Sequence, residues 1–421
     1  MTTYKSELMT TLTERGYLYQ ATNEDGLDAL AAKEPVTGYI GFDCTAPSLH
    51  VGSLVQIMML RILQQSGGTP IVLLGGGTTK IGDPSGKDKS RQMLTQDGID
   101  ANKAGIRQVF TKFLDFDGPN AAIMVDNDDW LGGLGYIDFL RDVGTEFTIN
   151  RMITMETVKR RLENEQPMTF LEFNYPLLQS YDFVELYRRH GCRLQLGGSD
   201  QWGNITTGVD LTRRMEGEEV FGFTTPLITT ASGGKMGKTA DGAVWLNADT
   251  DLGQDFARSP YEYWQFWRNT DDADVGRFLR LFTDLSLDEI ARLEALDGSE
   301  INTAKERLAD EATMLLHGSD AAAHAKATAR ETFAGGGAAT GLPTVDVKGD
   351  DLIGMGILTA AVTSGLAASN GEARRHIKGG ALKLNDDTVK SHDVILSGDD
   401  VRDGLVKISV GKKRHALLKL V

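Results

Sequence analysis

Two short segments carry residue types suited to acting on phosphate. Ser48-Leu49-His50-Val51-Gly52-Ser53 follows the apolar run Tyr39 to Phe42 and directly precedes a helical pattern. A helix starting there offers free N–H groups and a positive dipole end to an anion. His50 can donate a hydrogen bond to a phosphate oxygen on which charge develops, and Gly52 lets a nucleotide approach the backbone. The second segment, Gly233-Gly234-Lys235-Met236-Gly237-Lys238-Thr239, sets two lysines three apart among three glycines. Both ammonium groups can close on a triphosphate there, and Thr239 supplies one more donor. Taken singly, the first segment is better read as a loop histidine beside a packing glycine, and the second as a solvated loop, as most Gly-Lys stretches are. Two commoner nucleotide fingerprints fail. Gly75-Gly76-Gly77-Thr78-Thr79-Lys80 has lysine at the sixth position of GxGxxG, and Gly82-Asp83-Pro84-Ser85-Gly86-Lys87 is one residue short of a P-loop. Neither a dinucleotide dehydrogenase nor a Walker ATPase is supported.

The elements that must position these segments read as alternating strands and helices. Gly38 to Phe42, Pro70 to Leu74, Ile123 to Val125 and Leu194 to Leu196 are short buried-strand runs. Ser53 to Gln65, Asn174 to Arg189 and Gln201 to Glu216 have helical spacing. This alternation predicts an α/β fold with a doubly wound parallel sheet and ligands at the strand C-terminal ends. From Ser259 to about Phe333 the pattern is helical, with acidic residues near the helix starts. Gly335-Gly336-Gly337 cannot stay helical cheaply and reads as a hinge. The expected organisation is a Rossmann-like catalytic domain over 1–250, an all-α domain over 251–333, a linker over 334–350 and a small α+β domain over 351–421.

Composition narrows the function further. The 421 residues are 41% hydrophobic and 24% charged, an ordinary globular balance for two or three domains. The net charge of −15 argues against a protein that coats nucleic acid, but it is unevenly placed. From Asp351 onward 11 basic residues face 8 acidic ones, a net of +3, against −18 for the first 350 residues. Two cysteines, Cys44 and Cys192, form no disulfide framework and no CxxC spacing, so a reducing, cytoplasmic location is expected. The charged N-terminal segment lacks the apolar core of a secretory signal, and no run reaches 18 apolar residues, so no membrane span is expected.

Together, HVGS after the first strand and KMGKT late in the large part resemble the two signatures of class I aminoacyl-tRNA synthetases. YIGFDCTAPSLHVGSL, IGDPSGK, FNYPLLQSYDF and LQLGGSDQWGNI resemble, in that order, the bacterial tyrosyl-tRNA synthetase branch of the family. The resemblance implies a two-step ligase. The carboxylate of L-tyrosine attacks the α-phosphorus of ATP, releasing pyrophosphate, and the 3′-terminal adenosine of tRNA(Tyr) then takes the tyrosyl group. His50, Ser53, Lys235, Lys238 and Thr239 match the catalytic positions. Tyr39 and Asp182 match the pair that holds the phenol OH. Asp83, Tyr175 and Gln179 match the ammonium acceptors, with Gln195 and Gln201 completing the amino-acid pocket. Asp43, Thr45, Gly52, Gly198 and Asp200 match the ATP site, and Lys87 and Arg91 a basic loop beside it. Tyr175, Gln179 and Asp182, spaced four and three apart, share one helix face. Mg²⁺ would arrive with ATP, since no protein metal-ligand set stands out.

The sequence departs from the family pattern at Ser53, where many relatives carry a second histidine, at Cys44, often proline, and at Ile40, where some carry a polar residue near the ribose. The tail resembles an S4 RNA-binding fold, with Arg374, Arg375 and Lys378 placed to neutralise tRNA phosphates; charge alone fits a solubilising tail as well. Family members are homodimers, joined through an inserted segment that would span about 126–188 here, with Leu131 to Leu140 as a candidate apolar patch or an ordinary core helix. The alternatives are a tryptophanyl-tRNA synthetase, against which Tyr39 and Asp182 argue, a small-molecule adenylate-forming ligase, against which the tail argues, and a non-catalytic RNA-binding relative of the synthetases.

Overall fold

The computed structural model describes residues 3–82, 94–231, 233–234, 236, 238–239, 242–248, 256–333, 342–411 and 414–421. Two compact units result, Met1–Arg258 with Asn269–Leu316, and Ser259–Arg268 with His317–Val421. The helical region expected from Ser259 to Phe333 is thus shared between them.

The first unit is built on a six-stranded sheet: β1 Gln20–Ala21, β2 Thr37–Asp43, β3 Thr69–Gly75, β4 Ile123–Asp126, β5 Leu194–Gly198 and β6 Phe221–Thr225, in the order β1-β6-β5-β2-β3-β4. All neighbours run parallel except the short antiparallel edge β1. β3 is buried from Pro70 to Gly75, which explains its unbroken apolar run: helices cover both faces of a parallel sheet, so no face alternates polar. The helices Val51–Gln65, Gln96–Phe110 and Trp202–Glu216 provide the crossovers. Nine residues of Val51–Gln65 are buried. β1 and β6 escape the sequence reading because QA and FGFTT are short and rich in small or polar residues.

From β2 the chain winds outward through β3 to β4, then returns to start again at β5, on the other side of β2. This is a topological switch point. Pairing between β2 and β5 covers only Gly38↔Leu194 and Tyr39↔Gln195, so beyond these residues the strands diverge and leave a cleft at their C-terminal ends.

Between β4 and β5 run short helices, including Asp128–Leu131 and Tyr136–Asp142, and the long helix Phe170–His190. A Thr169–Glu172 capping box starts the long helix, and Gly191, at φ 62°, stops it. Late in the unit a small hairpin, β7 Lys238–Thr239 and β8 Gly242–Ala243, returns the chain to the start of Val51–Gln65. There Val51 N–H donates to Val244 O and Leu246 N–H to Leu49 O, each at 2.9 Å.

In the second unit a five-stranded sheet, β9 Thr344–Val347, β10 Leu382–Leu384, β11 Asp387–Thr388, β12 Leu405–Val410 and β13 Arg414–Leu420, has the order β11-β10-β12-β13-β9. Its core includes Leu352, Ile357, Leu382, Val406, Ile408 and Leu418. Asn385 and Asp386, both at positive φ, form the two-residue turn between β10 and β11. Buried Lys407 pairs with Asp386 at 3.0 Å across that turn. The expected Gly335–Gly337 hinge lies outside the described residues, as do Lys412 and Lys413.

Gly105, in helix Gln96–Phe110, sits against the loop that carries the first signature: a Cβ there would meet Pro47 O at 1.9 Å. Because the obstacle is backbone, Gly105→Ala should destabilise the protein by about 1–3 kcal/mol in denaturant melts. Gly203→Ala, whose Cβ would meet nothing within 4 Å, should gain up to about 1 kcal/mol.

Candidate active site

The cleft between β2 and β5 is a cavity of about 430 Å³. Its floor comes from the strand ends, one wall from helix Phe170–His190, and its mouth from the turn before Val51–Gln65.

His50 caps that helix. Its backbone is extended and its Nδ1 accepts from Gly52 N–H at 2.9 Å. This bond assigns the tautomer with the proton on Nε2. Gly52 is required for this arrangement: a Cβ would meet the His50 ring at 2.6 Å and Met236 O at 2.9 Å. The two signatures, far apart in sequence, therefore touch here through the backbone. Trp245 packs edge-on against His50, with ring centroids 6.0 Å apart, and joins it in an isolated β-bridge.

Deeper in the cavity lies a buried carboxylate. Asp182 is 2% exposed, and its Oδ1 accepts from Trp130 Nε1 at 2.8 Å while Oδ2 accepts from Asn127 Nδ2 at 3.0 Å. Burial pushes its pKa up to about 7; the two hydrogen bonds oppose that shift, and the charges of Asp43 and Asp126 add to it. The amide of Asn127 cannot flip without loss, because its oxygen accepts from Gly77 N–H at 2.8 Å. Tyr39, also buried, packs edge-on against Phe183 at 5.3 Å, and its hydroxyl finds no hydrogen-bond partner among the described residues. Burial, reinforced by the charge of Asp182, holds that hydroxyl firmly protonated. Gln195 Oε1 is likewise buried without a partner. Such orphaned atoms facing a cavity mark where a polar ligand belongs.

At the other end, Tyr175 donates to Asp43 Oδ1 at 3.4 Å, and Thr78 donates to the same oxygen at 3.3 Å. Gln179 donates to Gln201 Oε1 at 3.3 Å and accepts from Asn204 at 2.9 Å. Gly198 makes room for its neighbour: a Cβ would meet Asp200 Oδ1 at 2.6 Å. Thr45 and Ser53 line the mouth with His50.

The cavity thus brings together Tyr39, Asp182 and Gln195 with Asp43, Thr45, His50, Ser53, Tyr175, Gln179, Gly198, Asp200 and Gln201. Gly52 stands behind the mouth. Asp83, Lys87, Arg91 and Lys235 lie outside the described residues, and Lys238 and Thr239 are described only as backbone of β7. Arg374, Arg375 and Lys378 are exposed on helix Asn370–Lys378 of the second unit. Asn127, Trp130 and Trp245 were missed by the sequence reading. For Asn127 a signal existed: DND directly after a parallel strand places polar side chains at its C-terminal end.

A family model described as class I tRNA synthetases (W and Y) matches residues 31–334, and one described as the SYY-like C-terminal domain of tyrosine–tRNA ligase matches 336–418. The tyrosine–tRNA ligase of Caulobacter sp. (strain K31) is 59% identical over 418 residues, 99% of this chain and 98% of the relative. That of Nitrobacter winogradskyi is 58% identical over 422 residues and covers both chains completely. A C-terminally truncated mitochondrial tyrosyl-tRNA synthetase from Aspergillus nidulans has a TM-score of 0.69 at 30% identity, covering 77% of this chain and 94% of its own. A tryptophanyl-tRNA synthetase from Aeropyrum pernix, at 16% identity and a TM-score of 0.51, shares the fold alone. Full-length identity of this order leaves no room for the tryptophan branch or for an unrelated ligase, and the chain belongs to the class I tyrosine–tRNA ligases.

Proposed function

We propose a division of labour in this cavity for the family's reaction, in which tyrosine and ATP give tyrosyl-adenylate and pyrophosphate before the tyrosyl group passes to tRNA(Tyr). Asp182 accepts the hydrogen bond of the substrate's phenol O–H, and Tyr39 donates to the same oxygen. The observation that carries this reading is the Asp182 carboxylate, buried with a neutral donor on each oxygen and facing a cavity in which the Tyr39 hydroxyl lacks a partner. Phenylalanine would leave both groups unpaired, at a cost of about 1–3 kcal/mol for each.

Tyr175, Gln179 and Asp83 receive the substrate ammonium group, Gln201 lies near the carboxylate and α-phosphate, and Gln195 supports the tyrosine pocket from β5. Gly198 and Asp200 take the ribose, and Asp43 and Thr45 line the nucleotide path. The substrate carboxylate is the nucleophile: its oxygen bonds to the α-phosphorus as the bond to the bridging oxygen breaks and pyrophosphate leaves. His50 donates from Nε2 to the phosphate, as its committed Nδ1 requires. Ser53, Lys235, Lys238, Thr239, Lys87 and Arg91 spread the developing charge, in keeping with their match to the family's positions. The nucleotide enters as MgATP, with Mg²⁺ held by the phosphates.

No described helix is long and apolar enough to cross a membrane; the reading adds a cytoplasmic location, where tRNA and ATP meet. It also includes a homodimer, supported by exposed apolar residues between β4 and β5, among them Ile137 at 72%, Phe170 at 66% and Ile149 at 62%. Ile137→Asp should convert dimer to monomer in analytical ultracentrifugation; a wild-type monomer would remove the dimer from the reading. Arg374 and Arg375 are proposed to grip tRNA phosphates. Replacing both with alanine should raise the KM for tRNA by about tenfold and flatten its salt dependence, with pyrophosphate exchange untouched.

Amino-acid-dependent ATP–pyrophosphate exchange, run with all twenty amino acids, tests the central reading: tyrosine alone should support strong exchange. Asp182 sets the pH dependence. Below about pH 7 its carboxylate takes up a proton and stops accepting, so the KM for tyrosine should rise by up to about tenfold per pH unit while the KM for ATP stays level. A tyrosine KM flat from pH 6 to 8 would assign the phenol to another acceptor.

A further inference from the structure

Asn127 must face Asp182 for the carboxylate to be aimed, and Asn127 is held by what precedes it. Asp126, the last residue of β4, accepts from Gly76 N–H and Asp128 N–H through Oδ1, each at 3.0 Å. Its Oδ2 accepts from Lys103 Nζ at 2.8 Å. Lys103 reaches in from helix Gln96–Phe110 with its side chain 17% exposed, and its outer partner is Asp100 at 2.6 Å. Asp126 lies so close to Gly76 that a Cβ there would meet its Oδ1 at 2.3 Å. One buried carboxylate thereby ties together the end of β4, the turn after β3 and the crossover helix.

We infer that Lys103 is a positioning residue for the amino-acid pocket, holding Asp126 so that the next residue, Asn127, presents its amide to Asp182. This rests on the assignment of Asp182 to the phenol. Lys103 acts in two ways. Mechanically, it fixes the carboxylate that caps Gly76 and Asp128 and so sets the backbone of Asn127. Electrostatically, it offsets a negative charge that would otherwise bear fully on Asp182.

The charged and titratable groups around Asp182 are few. Tyr39 and Asp43 come from β2 and Asp126 from β4, while Arg189, on its own helix, stacks over the Trp130 ring at 5.2 Å. The acidic members disfavour an ionised Asp182, and Lys103 is the cation bonded to one of them. Burial works against the Lys103 ammonium, but its bonds to Asp100 and Asp126 outweigh this and hold it charged.

The test is the pH profile of the tyrosine KM in pyrophosphate exchange, measured on the full-length enzyme. Lys103→Met should move the midpoint upward by about one pH unit, raising the tyrosine KM at pH 7 by about fivefold with the KM for ATP unchanged. Asp126→Asn, whose amide oxygen can still accept from Gly76, should move the midpoint downward. The double variant should return close to wild type, and Lys103→Arg should behave as wild type. A purely structural role for Lys103 would raise the KM at every pH, and Asp126→Asn would not reverse it. Folded Lys103→Met with an unmoved midpoint, single variants shifting in the same direction, or a double variant whose midpoint stays as far from wild type as that of Lys103→Met would each overturn the inference. Should Lys103→Met fail to fold, Asp126→Asn decides: an unmoved or raised midpoint overturns it. If instead the wild-type tyrosine KM does not respond to pH, the assignment of Asp182 itself falls.

Discussion

Backbone pairing between β2 and β5 stops after Gly38↔Leu194 and Tyr39↔Gln195, and the rest of the site depends on that early end. Had the ladder continued, Ile40 to Asp43 and Leu196 to Gly198 would have spent their backbone groups on each other. Instead both strand ends line an open cleft, with Tyr39 and Gln195 as its floor. The switch in strand order makes this possible, since the crossovers leave β2 and β5 in opposite directions and nothing in the sheet closes over them. The helix Phe170–His190 then needs only one face, Tyr175, Gln179 and Asp182, to supply a wall.

A second constraint is close backbone approach. The first signature works as a helix start only because His50 folds back on Gly52, and the second reaches it only because position 52 has no Cβ. The segment from Val244 to Asn247 then pairs with Ser48 to Val51, which fixes the base of the loop against the helix it serves. The same logic recurs at Gly198 beside Asp200. The glycines of the motifs thus serve contacts within the protein as much as access for a ligand.

Much of this was legible in the sequence, and the reasons differ by element. β2 and β3 are buried on both faces, so their apolar runs stand out, and the 4-and-3 spacing of Tyr175, Gln179 and Asp182 survives translation into a helix face. Asn127 was legible only as a polar position at a strand end, and Trp130 not at all, because both hold a side chain on a helix some fifty residues away to which nothing in their local pattern points. Lys103 is harder still: on its helix it reads as a solvated charge forming an i,i+3 pair with Asp100, and its second partner appears only in the fold. β6 was missed for the opposite reason, since FGFTT is buried throughout while Gly and Thr interrupt its two phenylalanines, so it carries burial without an apolar run.

The choice of neutral partners for Asp182 has a physical logic. An arginine would neutralise the carboxylate and keep it ionised at any physiological pH, but it would also occupy the lone pairs and charge that a substrate hydroxyl needs. Trp130 and Asn127 orient the oxygens with one donor each and leave the charge uncompensated. In the proposed assignment, a hydroxyl entering the cavity forms a charge-assisted bond to this buried carboxylate, where a bare ring gains nothing. The cost is a carboxylate balanced near neutral pH, which a nearby acidic cluster would tip towards the protonated form. Under that assignment, selectivity for the hydroxyl and sensitivity to the charges behind the pocket are two consequences of the same buried group.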